Sequence, residues 1–331
     1  MSVPTHTIDE APAHQDAGPG RPRRLRGLAW LIARQHRTVL IVCAALTVLG
    51  AAWTVHQRGA MLDTLHAAGW PGTPADALDP DVVNRVGNDF NSYSGYLTRL
   101  PVLFGVFLGA PLIAVDRESG TARLVATQSV SRGRWLRWKL GFALVLVTVV
   151  TGTLSALHTW WWHSIAPFGA GDWLQGSVFG ATGPVLVASA LFATALGMAI
   201  GVMARRAVAA SAATYVLSAA AVIAVESLRL RLVTTHRITY PFADHYPVLD
   251  RAVQTDQWVG TASGKLYGYG TCVHDAVPDA CRARLGIVNS VWDYLSFDQM
   301  PGMQWTEAGI YLVLAAALTA LAMWWIRRYP S

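Results

Sequence analysis

The sequence predicts an all-α integral membrane protein with six transmembrane helices. Hydrophobic residues make up 53% of the chain and charged residues only 14%, and the mean hydropathy of +0.34 is far from that of a soluble domain. Each of six apolar runs is close to the ~20 residues that a helix needs to cross about 30 Å of hydrocarbon. These runs cover residues 38–56, 97–115, 140–163, 183–204, 207–228 and 307–326.

The residues before the first run fall into two parts of different composition. Residues 1–20 are rich in Pro, Ala, Gly and His without an apolar stretch, which predicts a disordered cytoplasmic tail. From Arg21 onward, apolar side chains recur at helical spacing among basic ones. This pattern predicts an amphipathic helix along the inner membrane interface, with a simple basic anchor as the alternative. Residues 21–331 would then form one transmembrane domain.

The distribution of basic residues predicts the orientation. Lys and Arg favour cytoplasmic connections. Arginines cluster before the first run, and the connection at residues 116–139 contains six basic residues, whereas the shorter connections on the opposite side are acidic. Both termini are therefore expected in the cytoplasm of a multi-pass protein of the cell membrane.

The two longer external connections differ in kind. Residues 57–96 contain Pro-Gly and Asp-Pro pairs, which predict turns and one short helix. Residues 229–306 form a large external loop with many interspersed Tyr and Trp residues, which would either pack a small folded cap or line a substrate exit.

Cysteine positions are consistent with this orientation. Cys272 and Cys281 lie in the large external loop, on the side where disulfides persist, so a bond between them is expected. Cys43 lies alone in the first apolar run and is expected to be a small packing residue.

The connection at residues 116–139 is polar and basic and lies between two apolar runs, as a short cytoplasmic connector would. It contains the pattern Arg117-Glu118-x-Gly120-Thr121, followed by the pair Ser131-Arg132 and by Lys139. This pattern resembles the permease subunits of type 2 ABC exporters. The resemblance implies that the connector forms a helix that docks into an ATPase subunit, with a coupling role for Arg117, Glu118, Gly120, Thr121, Ser131 and Arg132.

The resemblance also implies partners. In such exporters two six-span permease subunits, identical or different, associate with two separate ATPase chains. The chain has only two lysines and no Gly-x-x-x-x-Gly-Lys-Ser/Thr loop for phosphate, so ATP hydrolysis is expected on a partner chain. A polytopic membrane protein without an ATPase, either structural, signalling or enzymatic, is the alternative. The substrate is not readable from the sequence.

Enzymatic and metal-binding patterns are absent from the sequence. His158 and His163 flank three consecutive tryptophans, but a spacing of five residues places the two imidazoles on different helix faces. The three tryptophans are interpreted as an interfacial aromatic belt. No catalytic residue, cofactor, metal or nucleic-acid partner is expected.

Within the apolar runs, Glu226 is the acid that calls for an explanation, since acids in membrane spans are commonly functional. It would either pair with Arg229 one helical turn away or contribute to an external gate, and Glu307 has the same two interpretations. Two Gly-x-x-x-Gly motifs, at 105–109 and 197–201, predict close helix contacts. Ser155 belongs to a polar stripe that would face a conduit or hydrogen-bond between helices.

Overall fold

The computed structural model describes residues 28–119, 131–168, 173–231, 233–242, 249 and 251–328. Within these residues, six helices are long and apolar enough to span a membrane, so the predicted number of spans is confirmed. The predicted tail at residues 1–20 lies outside the described residues. The six candidate spans are Arg37–Ala67, Pro80–Glu118, Gly133–Phe168, Val185–Met203, Ala207–Arg231 and Phe297–Arg328.

The helices within and beside these spans are numbered in chain order. They are α1 (Leu28–Gln35), α2 (Arg37–Ala67), α3 (Pro80–Leu97), α4 (Leu100–Phe104), α5 (Ala110–Glu118), α6 (Arg132–Ile165), α7 (Gly176–Ala181), α8 (Val185–Met203), α9 (Ala207–Leu228), α10 (Pro278–Leu285) and α11 (Met300–Arg328).

The second span is longer than the sequence indicates, because its outer part is helical as well. Helix α3 begins at Pro80, and the carboxylate of Asp79 accepts a hydrogen bond from the Asp81 N–H at 2.9 Å. An Asp cap followed by Pro is a strong helix start. The expectation that residues 57–96 form mainly turns is therefore wrong: α2 continues to Ala67, and α3 occupies Pro80–Leu97.

A π-helical segment at Gly105–Gly109 interrupts the second span between α4 and α5. Pro111 follows it and has no N–H to donate to the Phe107 carbonyl, so regular α-helical bonding cannot run through this turn. The Ser211 hydroxyl of α9 donates to the Val106 carbonyl at 3.0 Å. The irregular turn is thus supported by a neighbouring span.

Helix α8 lies at the centre of the fold, and 83% of its most apolar 18-residue stretch is buried within the chain. It contacts the π segment backbone to backbone. A Cβ atom on Gly105 would lie 2.7 Å from the Ala193 carbonyl oxygen, and one on Gly201 would lie 2.7 Å from the Ala110 carbonyl oxygen. A Cβ atom on Gly197 would collide with the Gly105 carbonyl. The predicted close contact at both glycine motifs is confirmed, and the two motifs face each other.

The long loop before the last span folds into a small β domain, so the all-α prediction is wrong for this part of the chain. Four antiparallel strands pair in the order β1-β4-β2-β3, and α10 precedes β4. A folded cap is therefore present at residues 236–295. The strands are β1 (His236–Pro241), β2 (Val253–Thr261), β3 (Leu266–Gly268) and β4 (Ile287–Leu295).

Two features hold the cap together. A disulfide joins Cys272 to Cys281, next to the buried side chains of Val259 and Ile287. On the sheet, Arg237 of β1 lies opposite Asp293 of β4 and donates two hydrogen bonds to its carboxylate, at 2.6 and 2.7 Å. These bonds lower the pKa of Asp293. Their contribution to stability is therefore present at neutral pH and is lost as the pH falls through that pKa.

Aromatic contacts attach the cap to the spans. The Trp173 indole donates to the Arg251 carbonyl of the cap at 2.8 Å, and the Arg251 guanidinium lies 4.2 Å from the ring of Phe297, at the start of the last span. The predicted aromatic belt is wrong for two of its three members, because Trp161 and Trp162 are only 1% and 4% exposed. Trp160 alone is outward-facing, with the Arg58 guanidinium 4.0 Å from its ring.

The glycine contact generates a stability prediction. Gly197→Ala should destabilise the protein by about 1–3 kcal/mol, because the added methyl group overpacks a backbone contact. The control is Gly152→Ala, where a Cβ atom meets nothing within 4 Å. This control should change the free energy of unfolding by about 1 kcal/mol or less, in the stabilising direction. Unfolding by SDS titration in mixed micelles measures both, and equal effects would contradict the packing described here.

Candidate functional site

The connector meets the spans at two helix ends. Helix α5 ends at Glu118, and α6 begins at Arg132 with Ser131 as its N-cap residue. The Ser131 hydroxyl accepts from the Arg134 N–H at 3.4 Å. Of the predicted coupling residues, Gly120 and Thr121 lie outside the described residues, as does the side chain of Arg132.

Glu118 contacts a helix that is distant in sequence. Its carboxylate accepts a hydrogen bond from the Ala207 N–H at 2.9 Å, at the first residue of α9. A helix N-terminus has unpaired N–H groups and a partial positive charge, so a carboxylate stabilises it. The sequence predicted a coupling role for Glu118 but did not indicate this contact. Arg206, the N-cap residue, makes no side-chain cap, which signals that α9 needs a cap from elsewhere.

A buried ion pair closes the base of the connector. The Lys139 ammonium bonds the Asp116 carboxylate and also donates to the Leu112 carbonyl at 2.7 Å. Lys139 is fully buried, and its ammonium lies 4.8 Å from the Trp135 ring. Fully buried lysines are rare unless they are paired. Sequence reasoning did not predict this pair, although opposite charges stand at the two ends of the connector.

His36, between α1 and α2, lies beside this pair. Its ring is 5.7 Å from the Phe142 ring of α6, and its Nε2 atom has no hydrogen-bond partner among the described residues. Burial and the positive charge of Lys139 lower the pKa of His36, and the Asp116 carboxylate opposes them. The imidazole is therefore neutral at neutral pH, and the charge of this cluster is balanced between Asp116 and Lys139.

A second buried ion pair lies at the opposite end of the spans. Arg229 donates two hydrogen bonds to the Glu307 carboxylate, at 2.9 and 3.2 Å, and its guanidinium lies 4.2 Å from the Phe179 ring. The acid paired with Arg229 is thus Glu307, which is 78 residues away, and not Glu226. Glu226 is exposed, and a Cβ atom on Gly176 would lie 3.2 Å from its Oε1 atom.

Polar side chains also secure the break between α7 and α8. The Gln304 amide donates to the Thr182 hydroxyl at 2.9 Å, and the Ser155 hydroxyl donates to the Gly183 carbonyl at 2.8 Å. Ser155 therefore bonds between helices, as one of its two interpretations required. Thr151 of the same stripe donates to the Val147 carbonyl of its own helix.

The two histidines near the tryptophans are not brought together. His158 is fully buried, 3.0 Å from the Ser94 hydroxyl and stacked on Phe90, whereas His163 is exposed. The described residues contain one cluster of three potential metal ligands, namely Cys272, Asp275 and Cys281, and two of these form the disulfide.

Six candidate spans with ion pairs at their ends define a polytopic membrane protein. The family profile described as ABC-2 membrane transporter related matches residues 44–229, which is more than half of the chain. The chain therefore belongs to that family. The match begins in α2 and ends at Arg229, so the cap and α11 lie beyond it. Comparisons with curated proteins and with solved structures give no match.

The outer ion pair generates a prediction that separates two acids. Glu307→Gln should destabilise the protein by about 3–5 kcal/mol, because it leaves the buried Arg229 guanidinium without a counter-charge. Glu226→Gln is the matched control, and as an exposed substitution it should stay within about 0.5 kcal/mol of the wild type. SDS titration gives both values. A larger loss of stability for Glu226→Gln than for Glu307→Gln would mean that Glu226, and not Glu307, is the counter-charge of Arg229.

Proposed function

We propose that this chain is the membrane-spanning permease subunit of an ATP-driven exporter. Family membership supports this function, since members are typically non-catalytic permease subunits. The observation that carries it is the connector at residues 116–139, which joins two spans and at its first turn bonds a third, through Glu118 and Ala207. A partner that grips this connector would act on three spans at once.

ATP hydrolysis is assigned to a separate ATPase chain. Closure of the ATPase would shift the population of the spans toward an outward-open state by pressing on the connector. The contact of Glu118 with Ala207 offers a path into α9, and the bond from Ser211 to Val106 leads from α9 back to the π segment. Arg117, Gly120, Thr121, Ser131 and Arg132 remain proposed coupling residues, and Glu226 remains a proposed part of an external gate.

A second permease subunit, identical or different, would complete the conduit. In the first and last candidate spans, only 11% and 17% of the most apolar 18-residue stretch is buried within the chain. Such faces suit contact with lipid or with another subunit. The competing proposal is a polytopic membrane protein that works without an ATPase.

Purification and reconstitution separate these two proposals. The tagged chain would be purified from its native membranes, its ATPase identified by mass spectrometry, and the complex reconstituted into proteoliposomes. We expect ATP hydrolysis that increases when the permease is present and that stops when the ATPase is inactivated. If no ATPase is purified with the chain, and no ABC ATPase from the same cells hydrolyses ATP faster in its presence, the ATPase-independent alternative is favoured.

The proposed orientation places both termini in the cytoplasm and the cap outside. Residues 76, 131 and 263 are all exposed, so labelling at each depends on its side of the membrane. In a Cys43→Ala background, an impermeant thiol reagent should label Asp76→Cys and Ser263→Cys in intact cells, but not the cytoplasmic Ser131→Cys. Labelling at residue 131 from outside would reverse the orientation.

The disulfide of the cap is tested separately. Mapping of non-reduced peptides should recover Cys272 linked to Cys281. Two free thiols in protein purified without reductant would refute the disulfide.

The hydrogen bond from the Ala207 N–H to the Glu118 carboxylate generates a prediction about coupling. Glu118→Ala should lower transport and substrate-stimulated ATP hydrolysis about fivefold, because loss of an N-cap acceptor costs about 1 kcal/mol. Glu118→Gln keeps an oxygen acceptor and loses only the charge at the helix end, which is a smaller effect of about 0.3–1 kcal/mol. It should therefore reduce both activities about two- to fivefold.

The measurement uses the reconstituted complex, after checking that each variant inserts and folds. An exposed charge that merely pairs with solvent or with a neighbouring arginine contributes little. Wild-type rates in Glu118→Ala would therefore remove Glu118 from the coupling path.

A further inference from the structure

The ammonium of Lys139 is held in a site that leaves it no contact with water. Lys139 has no exposed surface, and its neighbours Leu136 and Leu140 are also buried. Its donors reach the Asp116 carboxylate and the Leu112 carbonyl, and the Trp135 ring lies 4.8 Å away. Carboxylate, carbonyl and aromatic face together compensate for the loss of hydration.

The position of this pair in the chain gives it a mechanical consequence. Asp116 lies two residues before the end of α5, and Lys139 lies in the first two turns of α6. The two residues are 23 apart in sequence and bracket the connector. Because Lys139 also bonds Leu112, one turn earlier in α5, it fixes both the distance and the rotation of α6 against α5.

An apolar pair would suit this position if stability alone were required. Replacing a buried ion pair by well-packed apolar residues is often neutral or stabilising, whereas an ion pair fixes one arrangement against alternatives. The apolar neighbours of Lys139 would accept such a replacement. The pair is therefore better explained by the geometry that it enforces.

We propose that Asp116 and Lys139 are positioning residues that clamp the two arms of the connector, so that α5 and α6 move as one body when the connector is displaced. The consequence for transport rests on the proposed function, but the clamp itself does not. A displacement applied anywhere between the arms then reaches the second and third spans together. Without the clamp, the arms separate and the displacement is absorbed locally.

The clamp is tested in the full chain without any partner. Spin labels on Ser119→Cys and Arg134→Cys, both exposed, report the separation of the two arms in a Cys43→Ala background. Double electron–electron resonance should give one narrow distance distribution. The variant Asp116→Asn/Lys139→Met, which removes both charges of the pair, should broaden that distribution at least twofold.

Two controls bracket this result. Asp116→Glu keeps a carboxylate and should keep the distribution narrow. Arg137→Met removes an exposed cation two residues from Lys139 and should also leave it narrow. Should the double variant fail to fold, Lys139→Met alone is measured, which removes the fully buried charge and leaves the partly exposed Asp116 carboxylate. A narrow distribution in whichever of these two variants folds would overturn the clamp.

A second measurement connects the clamp to transport. In the reconstituted complex, the double variant should lose about tenfold in the ATP hydrolysis that the permease stimulates in its ATPase, while the rate of the ATPase alone stays unchanged. Unchanged stimulation in a variant whose arms have separated would overturn the coupling role. If the wild-type complex shows no stimulation but the spin labels separate in the variant, the proposed function fails and the clamp stands.

Discussion

The contact between α8 and the π segment at Gly105–Gly109 is the constraint on which the other features depend. It requires glycines on both helices, because any Cβ atom there would meet a backbone carbonyl. In a membrane, association of helices gains little from the hydrophobic effect and depends on close packing and on hydrogen bonds. The contact fixes where the second span passes the central helix. It thereby fixes where α5 ends and where Asp116 and Glu118 lie.

Within the six apolar runs, the charged side chains are Arg99, Glu226 and Glu307, and each lies near an end of its run. At the break between α7 and α8, neutral hydroxyl and amide groups, such as Ser155 and Gln304, bond the carbonyls that the break leaves free. This arrangement follows from cost, because an uncompensated charge in a low-dielectric region is far more expensive than a hydrogen-bonded neutral group.

The parts of the fold that could be predicted from the sequence are those with a local signal. Six apolar runs and two glycine motifs are periodic patterns within single helices, and both were confirmed. The β sheet has no such signal: β4 alternates irregularly between buried and half-buried positions, and its partners β1 and β2 are distant in sequence. The length of helix α3 was underestimated, because only one of its faces is buried and the sequence as a whole is polar, as in a region of turns.

The candidate site shows the same limit. A residue such as Glu118 could be singled out by its motif, but its acceptor role toward Ala207 depends on where the fifth span begins in space. The pairing of Arg229 with Glu307 rather than Glu226 likewise depends on the tertiary structure. Local spacing favours the acid three residues away, whereas the bidentate geometry is available only from α11.

The two buried ion pairs have a common relation to the chain. Asp116 and Lys139 close the base of the connector, and Arg229 and Glu307 close the base of the cap, so both of these polar segments begin and end at opposite charges. Closing a loop costs entropy that grows only slowly with its length, so a pair at the base tolerates an excursion of almost any size. The family match ends at Arg229, while Glu307 lies beyond it. A closed base at this point separates the cap from the spans beneath it, so that a change in the cap need not disturb them.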